Sequence, residues 1–559
     1  MATNFAEDVT NSLIDAGCDK AFGLSGGYIS GIWKALDDSQ ISVYHFRHET
    51  GAVFAAMEHS LHTEKITVVF TTCGPGITNS ITGLRSARAD GARVVFISAL
   101  TTLTTDDESK RSIQETTPDT VERMTGPGIN NPLSQSIVIR SAEDLRSLKR
   151  ELSALQNSPI GGVIGVFFAP EVQKWKVQST SGISIDSNVI TLENREPLEE
   201  TKISDYADIL ESRLQSGRFI LWIGYGARRS AEKLLQLADR YHTPVVSTPR
   251  GKGIFPENHP LYRGVTGVGG TIGSTDLVEK PPHGVIVLGT SLAEFSSFHI
   301  QLAWTETEII CISLKPDEMR RNLPPNALVL EADINKLLQH MTNSLPQVSR
   351  SQHPPPTIPW KEAAQPNQIH PQTVMSVVQE VVINQHNLPV FVDIGNSLCW
   401  ATHHLRFTHS GKYRVSVNFA SMGHACCGAV GLASSGMTAV AIVGDGAMLM
   451  QSEVSSAVQY GFAVIWLVMN DARYNMCYQG PRAWGQVAPD CNIPEVDFAM
   501  YAKALGCQGR VARTGEELKT VLEEAILCKK PFVVDVKIDP DAFAPSEGRA
   551  KSLQAVGKA

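Results

Sequence analysis

Short runs of β-branched and apolar residues that close on glycine or proline recur along all 559 residues, and the intervals between them carry helical spacing. KITVVFTTCGPG, ARVVFISA and GGVIGVFFAP come first; RFILWIGYG, HGVIVLGT and EIICISLKP follow; TAVAIVGDG and VIWLVMND come last. Runs of this kind suit strands buried on both faces of a parallel sheet, and the helical intervals supply crossovers and covering layers. The expected class is therefore α/β, with doubly wound parallel sheets. Two polar stretches interrupt the alternation, a Ser-rich one over 172–200 and a Pro-rich one over 345–368. Both read as linkers. They leave three expected domains, 1–172, 196–342 and 366–540, and a tail, 541–559, whose polar stretch SEGRAKSLQAVGKA is expected to fray.

Composition narrows the function. A net charge of −8 argues against a nucleic-acid surface, which needs clustered Lys and Arg. No run approaches the ~18 apolar residues of a membrane span. The start, MATNFAEDVTNSLIDAG, lacks the basic and apolar regions of a secretory signal, so a cytoplasmic protein is expected. Ten cysteines without a C-x-x-C pair read as buried thiols of a reducing compartment. No G-x-G-x-x-G follows a strand, and GGYISG has the wrong spacing for a P-loop, which disfavours a nicotinamide or nucleotide module.

In open parallel sheets, ligands lie beyond the carboxyl ends of the strands. FGLSGGYIS, TTCGPGITN and IVGDGAM are glycine-bearing turns in that position. Taken singly, each is equally a tight structural turn. Asp445 ends one strand, SEVSSAVQYG is helical, and Asn470-Asp471 end the next strand. If those strands are neighbours, hard oxygens gather on one rim, with room for waters and a phosphate, as Mg²⁺ requires. A helix cap and a turn would use the same residues.

The GDG…MND pair resembles the metal–diphosphate motif of thiamine diphosphate enzymes, and YHFRHETGAVFAAMEHS with VVFTTCGPGITNSITGLRSARADG resembles their pyrimidine-binding domain. FGLSGGYISGIWKAL, RHETGA, CGPGITN, TPVVSTPRGKGIFPENHPLYRGVTG and DIGNSLCWA follow the acetolactate synthase pattern in order over nearly the whole chain. Around Asn470–Met476 the chain is similar to acetolactate-synthase-like enzymes of secondary metabolism, including those of scytonemin biosynthesis. The resemblance implies pyrimidine-binding, middle and diphosphate-binding domains.

Carried over residue by residue, Glu49 matches the activating glutamate that shares a proton with N1′ of the aminopyrimidine. AVFAAM after it is an apolar setting, and a glutamate there also suits a helix N-terminus. Gly26, Gly74, Pro75, Gly76 and Asn79 match cofactor-binding turns of the first domain, and Gln114 matches a glutamine near the donor pocket. Gly395, Asn396 and Ser397 match the first diphosphate-contacting turn. Met422 matches the bulky residue that bends the cofactor, a position that core packing would equally explain. Asp445, flanked by Gly444, Gly446 and Ala447, matches the first Mg²⁺ ligand. Asp471 stands opposite the family's ligating asparagine and Asn470 opposite the residue before it, so either can face the metal. Arg473 would lend its carbonyl, and Met476 falls on the cofactor side of the same loop.

The implied cofactors are thiamine diphosphate and Mg²⁺. No FAD is expected, because LWIGYGARRS misses the third glycine of a dinucleotide fingerprint. The implied reaction takes a 2-oxo acid donor, releases CO₂ and joins the remaining acyl group to a carbonyl acceptor. ISALTTLTTDDESKRSIQETT lacks the adjacent histidines of the family's decarboxylases, which favours carboligation. Ala99 and Tyr474-Asn475-Met476 depart from the Gln and Gln-Gly-Met of acetolactate synthases and imply a different pocket. A simple 2-oxo acid decarboxylase and an inactive cofactor-binding paralogue stay open. The family's subunit-shared active sites imply a homodimer or homotetramer.

Overall fold

A computed structural model describes residues 4–103, 113–125, 131–175, 200–271, 280–343, 345 and 357–546. Residues 176–199 of the first expected linker, 346–356 of the second, and 104–112 ahead of Gln114 lie outside the described residues. The α/β expectation holds, with three six-stranded parallel sheets. The first contains β1 (Lys20–Gly23), β2 (Ser42–His45), β3 (Thr67–Thr71), β4 (Arg93–Ala99), β5 (Gln135–Val138) and β6 (Gly162–Phe168), in the order β2-β1-β3-β4-β6-β5. The second contains β7 (Phe219–Ile223), β8 (Val245–Ser247), β9 (Tyr262–Val265), β10 (Gly284–Leu288), β11 (Glu308–Ser313) and β12 (Leu328–Glu331), in the order β12-β11-β10-β7-β8-β9. The third contains β13 (Val390–Val392), β14 (Tyr413–Arg414), β15 (Ala439–Gly444), β16 (Val464–Asn470), β17 (Gln508–Ala512) and β18 (Phe532–Lys537), in the order β14-β13-β15-β16-β18-β17.

The three orders share one logic. Each sheet starts near its middle, grows to one side, then crosses back to the other, leaving a switch point where successive loops diverge. It falls between β1 and β3, between β7 and β10, and between β13 and β15. TVVFT, RVVFISA and GVIGVFF are buried along their whole length, as strands covered on both faces must be. All ten cysteines are free and eight of them are buried, in keeping with the thiol expectation. Among the described residues no helix is long and apolar enough to cross a membrane.

The chain divides into two compact units, Met1–Arg195 with Asn418–Met437 and Met450–Val464, and Glu196–Val417 with Thr438–Leu449 and Ile465–Ala559. The first holds the first sheet together with two helices from late in the chain, His424–Ala433 and Glu453–Tyr460. All ten residues of HACCGAVGLA are buried, and the helix Glu49–Thr63 is buried on nearly every face. Helices apolar all round need neighbours all round, and these two pack on one another. Small residues set their separation: a Cβ on Gly431 would lie 2.0 Å from the Ala55 carbonyl oxygen. Across the same pair, His424 Nε2 lies 2.8 Å from Glu58 Oε1, with both side chains buried.

The second unit holds the other two sheets. Within it the GKGIFPE segment closes on a buried ion pair, Lys252 Nζ to Glu257 Oε2 at 2.8 Å. Burial pushes the Lys252 ammonium down to about 8, and Glu257 offsets part of that cost. Gln479 donates to the Ala542 carbonyl and accepts from the Ala544 amide, so the chain just ahead of SEGRAKSLQAVGKA is docked. Residues 547–559 lie outside the described residues.

The helix pair gives a stability test. Gly431→Val should cost about 3 kcal/mol through overpacking, read as a lower urea midpoint with unchanged m-value. A midpoint equal to wild type would contradict the close approach.

Candidate functional site

In the first unit, Glu49 opens the helix Glu49–Thr63, and His48 caps that helix by accepting the Thr50 amide at Nδ1 (3.2 Å). Glu49 is 8% exposed, and its Oε2 accepts from Asn79 Nδ2 at 3.1 Å. The Thr50 hydroxyl donates to the Asn79 carbonyl, which ties the two segments a second time. Gly74 turns at φ +61 ahead of the short helix Pro75–Thr78, with Pro75 at its first position, where a missing N–H costs nothing. The Gly74 amide donates to Thr116 Oγ1 at 2.9 Å, and a Cβ on Gly74 would sit 2.9 Å from that of Gln114. Gln114, itself at φ +61, accepts from Cys73 Sγ at 3.5 Å. A Cβ on Gly26 would meet Thr72 at 2.7 Å, so the loop after β1 lies against the loop after β3. Glu49, Asn79, Gly74–Gly76 and Gln114 thus gather around one turn, with Gly26 joined through Thr72. Met422 is half-buried, one residue before the left-handed Gly423 (φ +85) that opens the helix His424–Ala433.

In the second unit, the loops after β13 and β15 flank the third sheet's switch point. Gly395 (φ +135) caps the helix Asn396–His404, and Gly444 caps the short helix Asp445–Met448. Neither cap carries a side-chain hydrogen bond, and a Cβ on either would meet nothing within 4 Å. The equivalent crevice in the second sheet is shut by backbone: a Cβ on Gly226 would lie 2.8 Å from the Gly289 Cα. The third sheet therefore presents two helix N-termini to open space, the arrangement that receives anions. Asn396 donates to Gln479 Oε1 at 3.2 Å, and the buried Ser397 hydroxyl turns back to the Asp393 carbonyl at 3.0 Å.

Asp445 is 4% exposed. Its Oδ1 accepts from the Gly446 amide at 2.7 Å and its Oδ2 from the Arg473 amide at 3.3 Å. Burial nevertheless lifts its carboxyl above the usual range. Asp471 is pushed up to about 7, first by burial and then by the charge of Asp445, against a bond from Asn475 Nδ2 at 2.6 Å and the charge of Arg473. Asn470 is placed otherwise. Its Nδ2 donates to Asp535 Oδ1 and to the Val496 carbonyl, each at 2.9 Å, and it is 3% exposed. Adjacent residues at a strand end point to opposite faces, so Asp471 faces the charge of Asp445 while Asn470 is held by Asp535. Arg473 stacks over Tyr478 at 4.3 Å, Ala447 is buried, and Met476 packs against the core of the third sheet.

Three family models match the chain: the thiamine pyrophosphate enzyme N-terminal TPP binding domain over 3–122, its central domain over 203–341 and its C-terminal TPP binding domain over 393–536. The chain belongs to the thiamine pyrophosphate enzyme family.

Relatives of this thiamine pyrophosphate enzyme match it almost end to end. It is 26% identical to the thiamine pyrophosphate-containing protein YdaP of Bacillus subtilis, over 99% of this chain and 95% of that one. It is 25% identical to the acetolactate synthase large subunit of Haemophilus influenzae, over 96% and 94% of the two chains. It is 24% identical to the acetolactate synthase isozyme 2 large subunit of Escherichia coli, over 96% of each. A solved thiamine diphosphate-dependent 4-hydroxybenzoylformate decarboxylase of Rhodococcus jostii RHA1 shares the fold at a TM-score of 0.78 and 18% identity, covering 97% and 100% of the chains.

The residues present fit the family's cofactor. Two glycine-capped helix ends suit a diphosphate, and a buried carboxylate beside a half-buried one whose ionisation it opposes suits a divalent cation. Among the described residues no group of three His, Cys, Asp or Glu gathers. Sequence reasoning missed Asn475, which holds Asp471, and Thr116, which holds Gly74. The first was available as a spacing of four from Asp471; the second has no sequence signal.

Asp471 gives a pH test on metal-free protein. Its folded carboxyl (about 7) lies above the ordinary 3.8, so the stability it confers is complete below pH 4 and lost as pH rises to 7. Asp471→Asn should flatten that fall, which is on the order of 4 kcal/mol for a shift of this size, in urea titrations across the window. An unchanged slope would contradict the burial and repulsion described.

Proposed function

We propose that this enzyme is a Mg²⁺-dependent carboligase that decarboxylates a small 2-oxo acid and joins the acyl group to a second carbonyl compound. The observation that carries the reading is Glu49, buried at a helix start and fixed by Asn79, in a chain matched end to end by acetolactate synthases. Bound thiamine diphosphate supplies a carbanion that adds to the 2-oxo acid and stores the electron pair released with CO₂.

The chain's own residues prepare that chemistry. The Glu49 carboxyl holds the proton that the aminopyrimidine ring needs, and Asn79 fixes the oxygen that is not involved. Gly74–Gly76 and Gly26 would line the wall beside that ring, and Met422 would support the cofactor. Asp445 and Asp471 would hold the cation through carboxylate oxygens, with the Arg473 carbonyl as a third donor. The helix ends capped by Gly395 and Gly444 would receive phosphate oxygens at backbone N–H groups. Asn470 acts behind the site, through Asp535, and not as a ligand.

Carboligation is supported by the absence of histidine from 97–117, the segment leading from β4 through Gln114, which leaves few proton donors to quench the acyl carbanion equivalent. The backbone contact between the loops at Gly226 and Gly289 supports leaving flavin out of the second sheet. The assignment includes a cytoplasmic homodimer or homotetramer with no nucleic-acid or membrane partner.

Glu49→Gln should lower turnover by about 10²–10⁴-fold, with thiamine diphosphate binding retained in calorimetry. Full activity in that variant would overturn the assignment. Mass spectrometry of products from pyruvate and a panel of aldehydes and 2-oxo acids should show hydroxy-ketone or hydroxy-acid adducts. Free aldehyde as the sole product would instead establish a simple decarboxylase.

A further inference from the structure

Glu453 opens the helix Glu453–Tyr460 and is fully buried in the first unit. Its carboxyl spends its hydrogen-bonding capacity on the backbone just ahead of Glu49. Oε1 accepts the amides of Arg47 and His48, each at 3.1 Å, and Oε2 accepts the Arg47 amide at 3.3 Å and the Ser456 hydroxyl at 2.5 Å. The Arg47 guanidinium clasps the same helix from outside, with Nε on Ser455 Oγ at 3.0 Å and Nη2 on Gln459 Oε1 at 2.7 Å. Gly51, two residues beyond Glu49, makes the approach possible: a Cβ there would fall 2.7 Å from Glu453 Oε1 and 3.1 Å from its Cγ. Those amides precede the first helical turn, where N–H groups lack helical partners and an outside acceptor is needed.

We propose that Glu453 is the positioning residue of Glu49, fixing the Arg47–His48 turn so that the Glu49 carboxyl meets the cofactor in one place. The inference rests on the function proposed above and adds a residue to its machinery. Two anchors then hold Glu49, Asn79 at its carboxylate and Glu453 at the backbone behind it. Length and acceptor capacity matter here more than charge. Burial pushes the Glu453 carboxyl up to about 7, so a neutral side chain of the same length is a fair substitute at neutral pH.

The test compares Glu453→Gln, Glu453→Asp and Gly51→Ala with wild type. Three readouts are taken: amide hydrogen exchange at Arg47 and His48 without cofactor, thiamine diphosphate affinity, and deuterium exchange at C2 of bound thiamine diphosphate without substrate. Glu453→Gln should keep amide protection and C2 exchange within about threefold of wild type, whereas Glu453→Asp and Gly51→Ala should lose protection and slow C2 exchange roughly 100-fold, with affinity unchanged. Wild-type C2 exchange in the Asp and Gly51 variants overturns the inference. So does a parallel loss of cofactor binding and of cooperative unfolding, which marks a purely structural role. If wild type itself shows no C2 exchange, the proposed function falls and this inference falls with it.

Discussion

Two carboxylates at the ends of adjacent strands, Asp445 buried and Asp471 half-buried, shape the electrostatics of the third sheet's rim, because the charge of Asp445 adds to the cost of ionising Asp471. Left to themselves, Asp445 and Asp471 repel. In the proposed function a divalent cation between them would relieve that repulsion and leave coordination positions for a phosphate. The strand order makes this possible. Because β13, β15 and β16 are consecutive neighbours, three loops that are distant in sequence reach one rim. The second sheet has the same winding, yet its two switch-point loops touch through Gly226 and Gly289. One architecture thus gives an open cradle in one place and a sealed turn in another.

Much of this could be read from the chain. Alternating apolar runs and helical intervals gave parallel α/β sheets, and the glycine-bearing ends of those runs gave the rims. Whether Asn470 or Asp471 lies beside Asp445 could not be read, because it depends on which residue ends β16. A slip of one position would exchange the two side chains. The structure fixes that parity through Asp535, a buried acceptor 65 residues away that holds the Asn470 amide. The docking of the chain just ahead of SEGRAKSLQAVGKA was equally hidden, since it depends on Gln479 and carries no local pattern of its own.

Glu453 illustrates a different limit. In sequence it is one acid at a helix start, and a favourable macrodipole would account for it. Only the fold shows it turned to the amides of Arg47 and His48, with Gly51 cleared away above it. A fully buried carboxyl whose hydrogen bonds go mainly to backbone amides costs desolvation, which the charge of Arg47 only partly offsets. The same first unit contains another buried acid, Glu58, on His424. Polar contacts between long, otherwise apolar helices fix their register where packing alone would tolerate a slide.

The central claim is that Asp445 and Asp471, and not Asn470, hold the cation that carries the diphosphate. The direct measurement is a crystal structure of the protein with thiamine diphosphate and Mn²⁺, with the metal located by anomalous scattering. The account predicts one Mn²⁺ within coordination distance of both carboxylates and of the diphosphate, with Asn470 still bonded to Asp535. A metal ligated by the Asn470 carboxamide, or diphosphate bound without metal at these residues, would contradict it.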